Sequence, residues 1–240
     1  MFSVLIGWMA AGLSVTLLWP QVWTSAVRRR TAGLSPTATW LGVALPLGWI
    51  EYGLLIGDPV QIVTNTVTGL AGLAILVALL VARPDLRRRR TGLGAASGAT
   101  ALLAVTAAAA GLAYLPGSDD RALGSALGVA LTGAVLLANL PQPLALLRDR
   151  GQDLSGVSGL RWGLSAAANL CWAGYAHDTG QSAVLVCSLA GLISCLVVCV
   201  VLVMARRPAP VSAAAVPAGV VAVPRAAADT DALVLSVAAA

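Results

Sequence analysis

Trp49, Asn65 and Trp172 are the side chains whose types and spacing best suit ligand binding in this chain. Trp49 stands near the end of one apolar run and Asn65 near the start of the next. At about 1.5 Å of rise per helical residue, both fall roughly 10 Å below the end where the two runs join. Trp172 lies at a similar depth in a second pair of runs, and Cys187 and Ser188 come early in the run that follows it. An indole face beside an amide suits a polyhydroxylated ring: the C–H face stacks on the aromatic while the hydroxyls exchange hydrogen bonds with the amide. Taken singly, Trp49 also fits an interfacial belt, and Asn65 an interhelical hydrogen bond.

Glu51 adds a carboxylate inside an apolar run. Left ionised at the centre of a bilayer it costs about 2–3 kcal/mol, so it is either an acid that reaches the interface or a proton site. Cys171, Cys187, Cys195 and Cys199 all fall inside predicted helices and read as small apolar packing residues, with no disulfide framework. The sole histidine, His177, falls at a predicted outer helix end and reads as a solvated residue. No nucleophile–base pair, metal-ligand spacing or phosphate-binding glycine loop is present, which argues against an enzyme, a metal centre or a cofactor.

The elements that must hold these groups are membrane helices. Of 240 residues 58% are hydrophobic and 10% charged, and mean hydropathy is +0.87, more apolar surface than a soluble core of this size can bury. The net charge of +5 would suggest nucleic acid in a polar chain. Here every basic residue is arginine, and nearly all sit in short breaks between apolar runs, which is a topology signal instead. The lysine-free, Ala- and Arg-rich composition points to a GC-rich bacterial genome.

Seven runs reach the ~20 residues a spanning helix needs, near 3–26, 38–56, 60–82, 93–114, 122–146, 158–176 and 182–204. The first lacks a basic leader region and a cleavage site before Trp19, so it is expected to be the first helix and not a signal peptide. Arg28 to Arg30, Arg83 with Arg87 to Arg90, Arg148, Arg150, Arg161, Arg206 and Arg207 mark one side of the membrane. Asp58, Asp119, Asp120 and Asp178 mark the other. With positive charge inside, the amino terminus is expected outside and the carboxyl terminus in the cytoplasm of a cell membrane.

Much of the chain occurs twice. Pro20-Gln21, Leu34-Ser35 and Trp49-x-x-Tyr52 are echoed by Pro141-Gln142, Leu154-Ser155 and Trp172-x-x-Tyr175, at offsets of 121, 120 and 123 residues. Helices one to three then form one unit and helices five to seven another, and an intervening single helix makes the two units parallel. The expected domains are a first three-helix bundle over 1–82, a basic loop and linker helix over 83–116, a second bundle over 117–205, and a disordered cytoplasmic tail over 206–240. Gly94-x-x-x-Gly98 and Gly124-x-x-x-Gly128 would allow close helix approach. Pro20 and Pro141 fall roughly 27–30 Å from the outer ends of their helices, where each removes a backbone hydrogen bond and can bend the helix. Gln21 and Gln142 offer polar groups beside the freed carbonyls.

Pro20-Gln21, Gly33-Leu34-Ser35, Trp49-Ile50-Glu51-Tyr52-Gly53 and Asn65 resemble a PQ-loop repeat, particularly the triple-helix bundle of the SWEET and SemiSWEET sugar transporters. The second copy resembles it through Pro141-Gln142, Leu154-Ser155 and Trp172-Ala173-Gly174-Tyr175. The resemblance covers residues 1–205. It implies an all-α membrane protein of seven helices in a 3+1+3 order, transporting a mono- or disaccharide by alternating access without an imposed ion gradient. It also implies Trp49, Asn65 and Trp172 as substrate contacts and Pro20, Pro46 and Pro141 as hinges.

Two departures alter that pattern. The second asparagine is missing: Ser188 holds its place by spacing from Trp172, and Cys187 by alignment on the following glycine. Asn169 stands where Pro46 stands in the first unit. A second candidate function keeps the fold and carries an amino acid or other metabolite, with Glu51 as proton site. A third is a membrane receptor that transports nothing. The partners expected are a small molecule and the lipid bilayer, with no nucleic acid; self-association is left open.

Overall fold

The computed structural model describes residues 2–31, 34–139 and 158–205, and these are all-helical, with no strand among them. The helices are α1 (Phe2–Val22), α2 (Pro36–Ile56), α3 (Pro59–Ala82), α4 (Arg89–Ala113), α5 (Asp120–Asn139), α6 (Gly159–Thr179) and α7 (Ser182–Ala205). A π-helical turn, Trp23–Val27, continues α1, and a 3-10 turn, Pro84–Arg87, separates α3 from α4. Pro141, Gln142, Leu154, Ser155 and the tail at 206–240 lie outside the described residues.

Among the described residues, six helical spans are long and apolar enough to cross a membrane. The seventh run that the sequence marks, α6, is helical over 21 residues but carries Arg161, Asn169, His177 and Asp178 and does not reach that apolarity. It packs against both α1 and α7, so much of it faces protein. Leu70, Val129, Leu137 and Val203 are among the large side chains left exposed on the helices, as suits a surface solvated by hydrocarbon.

Local sequence sets the helix ends. Ser35 caps α2, its hydroxyl accepting from the Ala38 N–H, with Pro36 in the first helical position where a missing N–H is harmless. Asp58 and Pro59 repeat that arrangement at α3. Gly57 and Gly180 end α2 and α6 with φ of 72° each, a left-handed conformation that glycine adopts without strain. Two residues, Gly57-Asp58 or Gly180-Gln181, then suffice to start the next helix.

The packing closes a ring. α3 sits between α1 and α2, α7 sits between α5 and α6, α1 meets α6, and α2 meets α5. α4 packs outside, against α2 and α5. Along α2 and α3 the antiparallel register is direct: Gly42 faces Gly72, Pro46 faces Gly69, and Gly53 faces Gln61. Pro46 deprives the Gly42 carbonyl of its usual intrahelical donor, and this carbonyl lies so close to Gly72 that a β-carbon there would collide with it.

The two helical sets also share several contacts. Gly7 on α1 leaves room for the Tyr175 ring, and Gly128 on α5 leaves room for the Tyr52 ring. Trp49 meets Tyr52 edge-on with centroids 5.2 Å apart, and Trp172 meets Tyr175 in the same manner at 5.9 Å. Ser158 caps α6 as Ser35 caps α2. The structural counterpart of Ser35 is therefore Ser158. Ser158 stands as far before Trp172 as Ser35 does before Trp49, so this cap keeps step with the tryptophan and tyrosine pairs; the expected match at Leu154-Ser155 lies outside the described residues. Gly124 abuts Ile56 and Leu55, so Gly124 and Gly128 serve close packing, whereas Gly94 and Gly98 have open space around them.

Candidate functional site

Trp49, Asn65, Trp172, Cys187 and Ser188 are all buried. The register of α2 against α3 sets Trp49 level with Asn65, between the Pro46–Gly69 and Gly53–Gln61 contacts. Both tryptophans belong to one continuous apolar cluster with Tyr52, Tyr175, Leu131, Val135, Val184 and Cys187.

The two indoles differ in their hydrogen bonding. Trp172 Nε1 donates to Ser14 Oγ on α1 at 3.0 Å, and the Ser14 hydroxyl in turn donates to the Ala10 carbonyl at 2.9 Å. Val135 occupies the place on α5 that Ser14 holds on α1, by the same spacing that matches Gly7 to Gly128. It offers no acceptor, and Trp49 Nε1 is buried without a partner among the described residues.

The polar groups of α3 and α7 differ as well. Asn65 Nδ2 donates to the Gln61 carbonyl at 2.9 Å and to Gln61 Oε1 at 3.0 Å. Asn65 Oδ1 and Gln61 Nε2 remain unpaired and buried among the described residues. On α7 the Ser188 hydroxyl donates to the Val184 carbonyl at 2.7 Å and is thereby satisfied. Cys187 Sγ lies 3.5 Å from Thr132 Oγ1 and turns toward α5. At the position of Pro46, Asn169 Nδ2 donates to the Ser165 carbonyl at 2.9 Å, and its amide oxygen fills the space beside Gly191.

One buried cluster escaped the sequence. Asp58 is 4% exposed and accepts from Val60 N (2.8 Å), Gln61 N (3.2 Å), Tyr175 Oη (2.8 Å to each oxygen) and Gln181 Nε2 (2.6 Å). Gln181 Nε2 also donates to Thr179 Oγ1 at 3.0 Å. The α2–α3 and α6–α7 turns are thus tied together at one end of the ring. Asp58-Pro59 reads locally as a helix cap, and only the matched spacing of Tyr52 with Tyr175 could have placed a hydroxyl above it.

At the other end, Pro20 lies within α1, and the π-helical turn begins three residues later. Gln21 Nε2 donates to Ser25 Oγ at 2.8 Å, and Thr24 Oγ1 donates to the Pro20 carbonyl at 2.8 Å. Side chains therefore take up polar groups where the regular ladder is disturbed. Pro46 is buried inside α2. Glu51 is half-buried on α2 and has no hydrogen bond or ion pair among the described residues. His177 is exposed in the last turn of α6, and Cys195 packs with Trp162, Val198 and Leu202. Among the described residues no group of three or more His, Cys, Asp or Glu side chains is placed to hold a metal ion.

A scan against protein-family models, a search of curated proteins and a search of solved structures each return no match.

Proposed function

We propose that the chain is a membrane transporter of a small sugar, working by alternating access between two parallel three-helix units joined by α4. What carries this proposal is the contrast between the two ends of the ring. One end is held by hydrogen bonds from Tyr175 and Gln181 to Asp58, which can break and reform. The other contains a proline followed by a rewound helical turn, a place where a helix bends at low cost. Between them lie the buried indoles of Trp49 and Trp172, with Asn65 level with the first.

In this mechanism Trp49 and Trp172 stack on the sugar, and Asn65 exchanges hydrogen bonds with its hydroxyls. Cys187 and Ser188 form the wall on the α7 side. Parting of the Asp58 clamp opens one side, and bending at Pro20, Pro46 and Pro141 opens the other. The arginine-rich breaks orient the clamped end outward and the carboxyl terminus toward the cytoplasm of the cell membrane.

Uptake of labelled glucose and sucrose into liposomes containing the protein is the direct test. Downhill sugar flux without a pH gradient is the expected result, and absence of flux for every sugar sinks it. Glu51, half-buried and unpartnered among the described residues, supports a second candidate, proton-coupled transport of an amino acid. It requires amino-acid flux that rises with a pH gradient and is lost in Glu51→Gln.

A further inference from the structure

Three buried polar groups near Trp49 lack partners among the described residues: the Trp49 indole N–H, Asn65 Oδ1 and Gln61 Nε2. The fourth such group, Gln181 Oε1, belongs to the clamp at the turns. Trp49, Asn65 and Gln61 are each 0% exposed. A buried polar group left unpaired loses its hydration without recompense, so three in one unit form a concentrated deficit.

The matching places on the other side show no such deficit. Gln61 corresponds to Val184 and Asn65 to Ser188, by the spacing that relates Asp58 to Gln181. Ser188 is satisfied within α7, and Trp172 is satisfied by Ser14.

The orientation of the amide pair follows from its contacts. Asn65 must present its NH2 to the Gln61 carbonyl, which can only accept, and the same NH2 meets Gln61 Oε1. What remains is one acceptor on Asn65 beside one donor group on Gln61, a single helical turn apart. A vicinal diol complements this pair: one hydroxyl donates to Asn65 Oδ1 while its neighbour accepts from Gln61 Nε2. None of the three side chains is charged, and the nearby Asp58 is already engaged by four donors, so the arrangement suits a neutral polyol better than a zwitterion.

We infer that Gln61 is a ligand-binding residue, and that Trp49, Gln61 and Asn65 read the substrate's hydroxyls while the α6–α7 side supplies mainly an apolar wall. The inference rests on the transporter function proposed above and assigns polar recognition to one unit of the two.

The test is equilibrium binding of D-glucose, sucrose and leucine to the full-length protein in nanodiscs. The wild type is compared with Gln61→Val, the residue of the matching position, and Gln61→Met, which keeps the length and loses the amide. Loss of one neutral hydrogen bond predicts sugar binding weakened roughly 3- to 10-fold in both variants, with a melting temperature equal to or above that of the wild type. Wild-type affinity for sugar in either folded variant overturns the role of Gln61 and leaves sugar transport standing. Preference of the wild type for leucine overturns the diol assignment. Binding of no probe by the wild type removes the transporter proposal and this inference together.

Discussion

Trp172 Nε1 and Ser14 Oγ, 158 residues apart in sequence, meet at 3.0 Å across the seam between α6 and α1. The corresponding seam between α2 and α5 sets Trp49 against a chain whose matching residue is Val135. Ser14→Val should leave the Trp172 N–H buried without an acceptor and cost about 1–3 kcal/mol. Val135→Ser should supply Trp49 with an acceptor and so offset most of the roughly 1–2 kcal/mol lost with the buried valine methyls, while weakening sugar binding by competing for the indole N–H. Thermal unfolding in detergent, read beside sugar affinity, checks both. Equal losses of stability in the two variants would contradict the asymmetry.

Tyr175→Phe removes the hydroxyl that bridges both oxygens of Asp58 and should cost about 1.5–3 kcal/mol, the range for hydrogen bonds to charged groups. Hydrogen exchange should accelerate at the backbone amides of Asp58, Val60, Gln61 and 179–182 and leave the middle of α3 unchanged. Unaltered exchange at the two turns would show that the clamp does not hold them.

Two glycines separate a rigid obstacle from a movable one. A β-carbon at Gly72 meets the Gly42 backbone carbonyl, whereas one at Gly191 meets the Asn169 side chain. Gly72→Ala should therefore destabilise by about 1–3 kcal/mol through forced separation of α2 and α3, and Gly191→Ala by less, because a side chain can rotate away. Melting temperatures of the two variants rank them, and the reverse order would refute this account.

Pro20→Ala restores an amide donor to α1 just before the π-helical turn. A straighter, stiffer helix end should slow sugar uptake into liposomes while leaving equilibrium affinity near that of the wild type. Unchanged uptake would remove Pro20 from the hinge.

Much of the helix layout is legible in the sequence because apolar runs, capping residues and breaks coincide: Ser35-Pro36, Gly57-Asp58-Pro59 and Gly180-Gln181 fall at helix ends. The tryptophan and tyrosine pairs are legible because their spacing repeats. The place of α6 is less so, since its polar residues lower its apolarity while its neighbours α1 and α7 cover it. Ser158 is harder to read, since the letters Leu34-Ser35 recur at Leu154-Ser155 and not at Ser158, whose capping role shows only in the structure. Asp58 and Gln61 were missed for a different reason. A cap and a glutamine near a helix start look ordinary until Tyr175 and Asn65 are brought to them from elsewhere in the chain or from the next turn.

The Asp58–Gln181 contact also bears on how the two units can pair. If two copies of residues 1–82 assembled as α1–α3 and α5–α7 do, Asp58 would confront a second Asp58, and two carboxylates would repel where an amide now donates. Two copies of the other unit would set amide against amide, with no anion for the tyrosines to bind. Of the three pairings, the mixed one alone sets an amide donor and a tyrosine hydroxyl against a single carboxylate.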